Sequence, residues 1–470
     1  MPSQTQRPTA ALRRSAATTS ALAALSALAF GACTPAPSTR ADAPATSSVS
    51  SVSSASPASS PRAATSTPSP GAEEIPPEQW EAVRRQSVTA LLRDRLAAVQ
   101  RDDLQRWLAP LGGSSKAALR RSQAEVLDRM TAIGVDDVQL VALRETTAPV
   151  PAPAGTSVAW DVRVSLTYRI RGFDTAPRAF DLDLTLKADP ASPRRPEVTA
   201  SAPSGRPQPW DLTGLRVRRS PTALVLAVGD DARLEEISRR ARTAASRVAT
   251  VWGSARPAVW IAPVNDADAA RLLGRTDGPA GLGGVAAATD GPLTPGERAG
   301  ADRIILVPKA WTSLRPDGRD VVMTHELTHV TVRGSTTRGV PVWLSEGFAE
   351  LVAYTPIDLP ETAVVAPALA LVRARGMPTA LPADDDFAPG TPTLQAAYGL
   401  SLLALRTLAD AHGTRAVVDL YRAAAGGLAV PIDRVDDREG IVDDALRSTV
   451  GTTRGRLVKD WQARLRGLLR

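Results

Sequence analysis

The chain has 470 residues, 43% of them apolar and 4% aromatic, which is long and apolar enough for two folded domains. Its formal net charge of +7 is interpreted as a solubilising surface rich in Arg, and the alternative is a tolerance of anionic surroundings such as lipid headgroups or cell-envelope polymers. The basic residues form neither a lysine-rich block nor an aromatic-interleaved stripe, so no nucleic-acid partner is expected, and the single cysteine excludes an intramolecular disulfide.

Residues 1–32 have the pattern of an export signal. Arg13 and Arg14 precede a short stretch rich in Ala and Leu, which ends in small residues directly before Cys33. This stretch is too short and too weakly apolar for a transmembrane helix, but it is typical of a secretory signal peptide. The ending "AFGAC" resembles a bacterial lipobox, which implies that Cys33 is lipidated and anchors the protein to the outer face of the cell membrane. The alternative is ordinary signal-peptide cleavage, which would give a secreted protein.

Residues 33–72 consist of Cys33 and a stretch dominated by Ser, Thr, Pro and Ala. Such a composition cannot bury enough apolar surface to form a core. We therefore expect a disordered tether that holds the folded part of the chain away from the membrane.

Residues 73–219 are predicted to form a domain of helices followed by antiparallel strands. The stretch from Trp80 to Leu111 has apolar residues at helical spacing. Strict alternation of apolar and polar residues over Val158–Ile170 and Phe180–Leu186 predicts half-buried strands. This α+β pattern is faintly similar to the NTF2-like fold. Because no cluster in it carries recognisable chemistry, we interpret it as a spacer or binding domain.

Residues 220–470 are predicted to form a second α+β domain. "TALVLAV" and "AVWIA" read as buried strands on either side of a helix, and "DRIILVP" reads as a further strand after a Gly-rich segment. From Arg319 onward the pattern is helical. We therefore expect a small mixed sheet packed on a helical subdomain. The strand "RIILVP" is expected to offer a free edge to which a peptide could add.

The stretch "VVMTHELTHV" contains two of the three histidines of the chain. His325 and His329 are four residues apart, so on a helix both imidazoles face the same way and can reach one ion. Glu326 is offset by one residue, close enough to act on a water molecule at that ion. This HExxH pattern predicts a helical zinc site, with Gly334 as a stop signal.

Downstream, "VPVWLSEGFAELVAY" reads as an amphipathic helix on which Glu346 and Glu350 share one face. A catalytic zinc ion takes three protein ligands and keeps one open position, so Glu346 is a candidate third ligand. HExxH followed by "WLSEGFAE" resembles the gluzincin metallopeptidases, including thermolysin-like enzymes, zinc aminopeptidases and a compact bacterial group. The resemblance implies that Glu346 is a ligand and that Glu350 supports a zinc-bound histidine. The alternative for Glu350 is a solvent-facing position.

In "AAYGLSLLALRTLADAHG", Tyr398 matches the tyrosine that gluzincins of the aminopeptidase type place near the start of a helix. The resemblance implies a hydrogen bond to the oxyanion that develops in the transition state. The alternative is a core tyrosine. His412 precedes Gly413 and is interpreted as a helix-terminal residue rather than a ligand.

The resemblance is specific only in the HExxH and "WLSEGFAE" segments and at Tyr398. The zinc aminopeptidases hold the substrate's free amino group with a glutamate on a strand. The corresponding segment here, "GLGGVAAATD", contains no glutamate, which favours endopeptidase action.

These observations predict a zinc-dependent peptidase of gluzincin type, acting on peptide or protein substrates at the outer face of the membrane. The alternative is a non-catalytic envelope lipoprotein with a structural or vestigial zinc site, binding a wall polymer or a partner protein. Against this alternative, a structural zinc site normally has four protein ligands, with cysteine common among them, and the predicted domain has no cysteine.

Overall fold

The computed structural model describes most of the chain from residue 79 onward. The predicted signal peptide, Cys33 and the predicted tether lie outside the described residues. The described ranges are 79–111, 117–147, 156–188, 195–282, 284–388, 390–427, 429–430 and 434–470. Within these ranges, no helix is both long enough and apolar enough to cross a membrane.

The first unit consists of three helices followed by a four-stranded antiparallel sheet in the order β1-β2-β3-β4. Its elements are α1 (Trp80–Arg101), α2 (Leu104–Leu108), α3 (Ala117–Ile133), β1 (Val135–Thr147), β2 (Val158–Ile170), β3 (Arg178–Ala188) and β4 (Glu197–Ser204). The prediction of helices followed by an antiparallel sheet is confirmed.

Strand β2 shows how the sequence pattern becomes packing. Every second residue from Val158 to Ile170 is buried, while the residues between them are half-buried or exposed. Trp160 lies opposite Leu186 of β3, so the apolar faces of the two strands are in register. Burial of that face against α1 and α3 removes its apolar side chains from water, which stabilises the unit.

The second unit is built around a five-stranded mixed sheet in the order β5-β6-β7-β9-β8. Its elements are β5 (Leu215–Arg219), β6 (Ala223–Val228), α4 (Asp231–Trp252), β7 (Ala258–Ala262), α5 (Asp266–Leu272), β8 (Ala287–Asp290) and β9 (Arg303–Leu306). The three central strands are parallel, and both outer strands pair antiparallel. The boundary predicted at residue 219 falls at the end of β5, so the second sheet draws on both predicted domains.

The expectation that "RIILVP" offers a free edge is wrong. This segment forms β9, which lies between β7 and β8 and is hydrogen-bonded on both sides. The strand at that edge is β8, which comes from the Gly-rich segment. Its four residues carry too little periodicity for a strand to be recognised from the sequence, and the chain returns antiparallel beside β9 only through tertiary packing.

The two faces of this sheet pack against different parts of the molecule. On β6, Val225 faces the helices of the second unit, whereas Leu224 and Leu226 face the core of the first unit. Such burial on both faces explains why the parallel strands are continuously apolar. The first unit is therefore packed directly on the second sheet.

A helical region completes the second unit. It comprises α6 (Pro308–Ser313), α7 (Pro316–Arg333), α8 (Val342–Tyr354), α9 (Glu361–Val364), α10 (Ala366–Arg375), α11 (Leu394–His412), α12 (Thr414–Arg422), α13 (Arg438–Ala445) and α14 (Arg454–Leu469). Short 3-10 turns occupy Pro209–Asp211, Gly278–Leu282 and Asp384–Phe387, and π-helical turns occupy Ala423–Gly427 and Leu446–Val450. The mixed α+β fold class is thereby confirmed.

Candidate metal centre

Helix α7 presents the HExxH segment to the interior of the second unit. It begins with Pro316 at its first position, where proline is well tolerated, and Gly334 follows its last residue. The β-branched residues of its second half are poor helix formers in isolation. They are buried against the sheet and the neighbouring helices, so tertiary packing stabilises this part of the helix.

Helix α8 supplies the two glutamates from the other side of the centre. Pro341 precedes it, and the backbone N–H of Val342 donates to Asp384 Oδ1 at 2.9 Å, which satisfies one donor of the first turn. Gly347 follows Glu346 directly, and a Cβ atom there would lie 2.8 Å from the carbonyl oxygen of Ser401. The glycine therefore permits the close approach of α8 to α11.

Three ligand-type atoms converge between α7 and α8. His325 Nε2 and His329 Nε2 lie 3.0 Å apart. Glu346 Oε2 lies 3.2 Å from the first nitrogen and 2.9 Å from the second. Nitrogen and oxygen ligands about 2.1 Å from a tetrahedral metal ion lie about 3.4 Å apart, only slightly farther than these atoms do. His325, His329 and Glu346 therefore form a group that could hold a metal ion.

The chemistry of these atoms fits a cation. His325 Nδ1 lies 2.9 Å from Glu350 Oε1, and this contact assigns the ring proton to Nδ1 and leaves the lone pair on Nε2. That lone pair then points at the lone pairs of His329 and Glu346. Three electron-pair donors this close together repel one another unless a positive charge lies between them.

The electrostatics of His325 reflect the two carboxylates beside it. Burial lowers the pKa of this imidazole, but its contacts with Glu346 and Glu350 outweigh burial and raise the pKa to about 10, so Nε2 holds a positive charge, a proton or a metal ion, in preference to a bare lone pair. In turn, burial raises the pKa of Glu346, while the two histidines outweigh it and lower the pKa below its usual value. The centre therefore attracts positive charge strongly.

Glu326 lies beside the three ligand atoms without being one of them. Its side chain is buried, and Thr289 Oγ1 donates a hydrogen bond of 2.7 Å to its Oε2. Burial raises the pKa of Glu326 above the ordinary value for a glutamate, against the lowering effect of the two histidines. A raised pKa makes the carboxylate a stronger proton acceptor, which suits a general base.

Thr289 was not among the residues predicted from the sequence. It lies on β8, at the end of the segment "GLGGVAAATD", which lacks a glutamate. The one available signal was a polar residue inside the otherwise apolar run "VAAATD". That signal does not show that Thr289 contacts Glu326, because the sequence does not give the position of β8 relative to α7.

Tyr398 lies in the first turns of α11, as predicted, and it is 3% exposed. Its ring centroid is 6.2 Å from that of His325 and 5.6 Å from that of Phe387. Burial, together with the nearby glutamates, raises the pKa of its hydroxyl well above the usual value, so the phenol stays protonated and can donate. His412 is exposed at the end of α11 and is not part of the group of ligand atoms.

The centre is almost enclosed by the protein. The exposed fraction is 1% for His325, 2% for Glu326 and 4% for both Glu346 and Glu350. The side chain of His329 is the most open, at 12%. Any access to the centre therefore lies on the side of His329.

Comparison of the chain with protein-family models, with curated proteins and with solved structures finds no match.

Proposed function

We propose that this protein is a zinc-dependent peptidase of gluzincin type. The observation that carries the proposal is the convergence of His325 Nε2, His329 Nε2 and Glu346 Oε2 within 3.2 Å of one another, with the buried Glu326 beside them. Two imidazoles and one carboxylate are a ligand set of catalytic zinc sites, in which a fourth position stays open. The same proposal includes two fold assignments: the helix-plus-sheet first unit is NTF2-like, and the second unit is gluzincin-like.

Zinc would lower the pKa of a bound water molecule and polarise the scissile carbonyl. Glu326 takes the proton from the attacking water and passes it to the leaving amine. Thr289 holds one oxygen of that carboxylate, so that the other is directed at the reacting atoms. Glu350 orients the imidazole of His325 through Nδ1. Tyr398 donates to the oxygen that gains negative charge.

The proposed substrate is a peptide or protein bound in extended form. Among the described strands, β8 pairs only with β9, so the other side of β8 is the sheet edge nearest Glu326. A peptide strand can add to such an edge through main-chain hydrogen bonds. The segment that leads into β8 has no glutamate to hold a free amino group, which favours endopeptidase over aminopeptidase action.

The proposed location is the outer face of the cell membrane, with a lipid on Cys33 and residues 34–72 as the tether. The net charge of +7 suits a position near anionic lipids or envelope polymers. Metabolic labelling with a fatty-acid analogue tests the anchor. Label that survives Cys33→Ser would contradict it and leave ordinary secretion.

The test of the activity is the Glu326→Gln variant of the mature chain. We expect cleavage of a quenched fluorescent peptide library by the zinc-loaded wild type and a loss of roughly 10²–10⁴-fold in the variant, because the base is removed. Zinc content measured by mass spectrometry should be unchanged. Glu297→Gln, at an exposed loop position, is the matched control and should retain wild-type activity. A chelator should abolish cleavage, and added zinc should restore it.

One observation favours the second candidate, a non-catalytic envelope lipoprotein with a structural or vestigial zinc site. Glu326 and Glu346 are at most 4% exposed, which leaves little room for a substrate. Bound zinc in the wild type without cleavage of any peptide would favour this candidate. Equal activity of wild type and Glu326→Gln would contradict the proposed mechanism.

A further inference from the structure

Strand β8 places one residue against the proposed base and the next residue against the first unit. Thr289 Oγ1 donates to Glu326 Oε2 at 2.7 Å and lies 3.3 Å from the carbonyl oxygen of Glu326. The adjacent Asp290 ends the strand, and its side chain contacts the first unit. A shift of β8 would therefore move Thr289 relative to the base.

Two arginines of the first unit hold Asp290. Arg178, the first residue of β3, donates to Asp290 Oδ2 from Nη2 and to the carbonyl oxygen of Ala301 from Nη1 at 3.0 Å. Arg206, which follows β4, donates from Nη2 to the same Oδ2 at 2.7 Å and from Nε to the carbonyl oxygen of Leu272 at 3.1 Å. We call these two arginines on Asp290 the arginine clamp.

The charged groups of Asp290 and Arg178 are largely shielded from water, which strengthens the hydrogen bonds between them. The side chains of Asp290 and Arg178 are 22% and 13% exposed. Hydrogen bonds in which both partners are charged are about twice as strong as neutral ones. Each arginine also donates to a backbone carbonyl of the second unit, so each is held at more than one point.

The end of β8 is tied to α7 as well. Arg333, in the last turn of α7, donates from Nη2 to the carbonyl oxygen of Gly291 at 3.1 Å and to Asp302 Oδ1 at 3.2 Å. The strand is thus held between the helix that carries Glu326 and the first unit. Its position depends on both attachments.

We propose that Arg178 and Arg206 of the first unit are positioning residues, which hold β8 through Asp290 so that Thr289 stays hydrogen-bonded to Glu326. The first unit is then part of the active site's support and not a detached spacer. This inference rests on the proposed peptidase function for its catalytic part, whereas the mechanical part, the fixing of β8, stands on the contacts alone.

The physical reason is the sensitivity of catalysis to geometry. A carboxylate that can rotate freely, or that lies about 1 Å from its working position, loses on the order of 10²-fold in rate. Thr289 removes one rotational freedom from Glu326, and the clamp fixes the backbone that carries Thr289. Loss of either should lower kcat and leave substrate binding largely intact.

The test uses the zinc-loaded full mature chain and four variants at the clamp and at the strand: Arg178→Ala, Arg206→Ala, Thr289→Val and Thr289→Ser. Arg163→Ala is the matched control, since this arginine of the same sheet pairs with Asp183 within the first unit. Arg206 is 39% exposed, so its variant should fold even if Arg178→Ala does not. Zinc content, kcat, KM and amide hydrogen exchange of residues 287–290 are measured for each.

We expect both arginine variants to exchange faster at residues 287–290, with α8 still protected and zinc still bound. We expect kcat to fall about 10–100-fold in these variants and in Thr289→Val, with KM within about twofold of the wild type. Thr289→Ser, which keeps the hydroxyl, should recover most of kcat. Arg163→Ala should match the wild type in every measurement.

If amide hydrogen exchange of β8 is unchanged in a folded arginine variant, the proposal that the clamp holds β8 is wrong. If the exchange is faster but kcat is unchanged, the proposed effect of the clamp on Glu326 is wrong. Equal kcat for Thr289→Val and the wild type would also contradict that effect. If the wild type cleaves no peptide, the peptidase proposal fails, and exchange at β8 still decides whether the first unit holds this strand.

Discussion

His325 uses its two ring nitrogens for different tasks. Nε2 faces the other two ligand atoms, and Nδ1 lies 2.9 Å from Glu350. The carboxylate of Glu350 thus sets the tautomer, fixes the ring orientation and raises the basicity of Nε2. Its position on α8, one helical turn after Glu346, lets one short helix supply both a carboxylate of the candidate metal group and the hydrogen-bond partner of His325.

We therefore predict that Glu350→Ala weakens zinc binding about 10–100-fold, because His325 loses its orienting partner. Glu350→Gln, whose amide oxygen can still accept from Nδ1–H, should lie between Glu350→Ala and the wild type. Competition with a chromophoric chelator measures the affinity. Glu361→Gln, at a glutamate of α9 that pairs with Arg406 and Arg464 and not with a histidine, should bind zinc as the wild type does. Equal affinity in Glu350→Ala would show that the contact does not support the metal.

At the level of elements, the centre depends on the packing of α8 against α7 and α11. Helix α8 is buried nearly all round, so its register is fixed by neighbours and not by an amphipathic pattern alone. Gly347 allows the backbone of α11 to come close at Ser401. Because Gly347 lies between Glu346 and Glu350, a change in helix separation here moves both carboxylates.

We predict that Gly347→Ala destabilises the protein by about 1–3 kcal/mol, since the new Cβ would lie 2.8 Å from a backbone oxygen that cannot rotate away. Zinc affinity should fall as well, because the helix must shift. Gly455→Ala on α14 is the matched control: nothing lies within 4 Å of its Cβ position. The control should be neutral or slightly stabilising, since alanine is the better helix former. Thermal unfolding with and without zinc distinguishes the two effects.

At the level of the whole molecule, the two units share a core and a buried ion pair. The apolar cluster of the first unit continues into one face of the second sheet through β6, β7 and β9. At its margin, Arg303 of β9 makes two hydrogen bonds of 2.7 Å to Asp174, in the turn between β2 and β3. Their side chains are 2% and 1% exposed. The units are therefore expected to unfold together.

We predict that Asp174→Ala destabilises the protein by about 3–5 kcal/mol, because it leaves the Arg303 guanidinium buried without its counter-charge. The double variant Asp174→Ala/Arg303→Met should recover most of that loss. Asp183→Ala, which breaks the half-exposed pair with Arg163, should cost less than about 1 kcal/mol. Calorimetry provides the measurement. A wild type that melts in two separate transitions would contradict the shared core.

Much of the local structure could be predicted because it depends on near neighbours in the chain. The alternation over 158–170 predicts a half-buried strand wherever that strand packs, and the strand is present at those residues. Likewise, two histidines four residues apart share a helix face whatever surrounds the helix. The helix bearing Glu346 and Glu350 was also predicted, but its predicted amphipathic character is wrong, because α8 is buried nearly all round. The group of His325, His329 and Glu346 is accordingly the part of the site that the sequence revealed most directly.

What the tertiary structure decided is non-local. The order of strands in the second sheet placed β8, and not β9, at the edge, and this brought Thr289 to Glu326 and Asp290 to Arg178 and Arg206. Those partners come from separate elements, and no periodicity encodes which of them will meet. The sequence by itself determined that His325 and His329 share one helix face, because a helix repeats its faces every turn. Only the packed fold determined what holds the proposed base, because that depends on which surfaces bury each other.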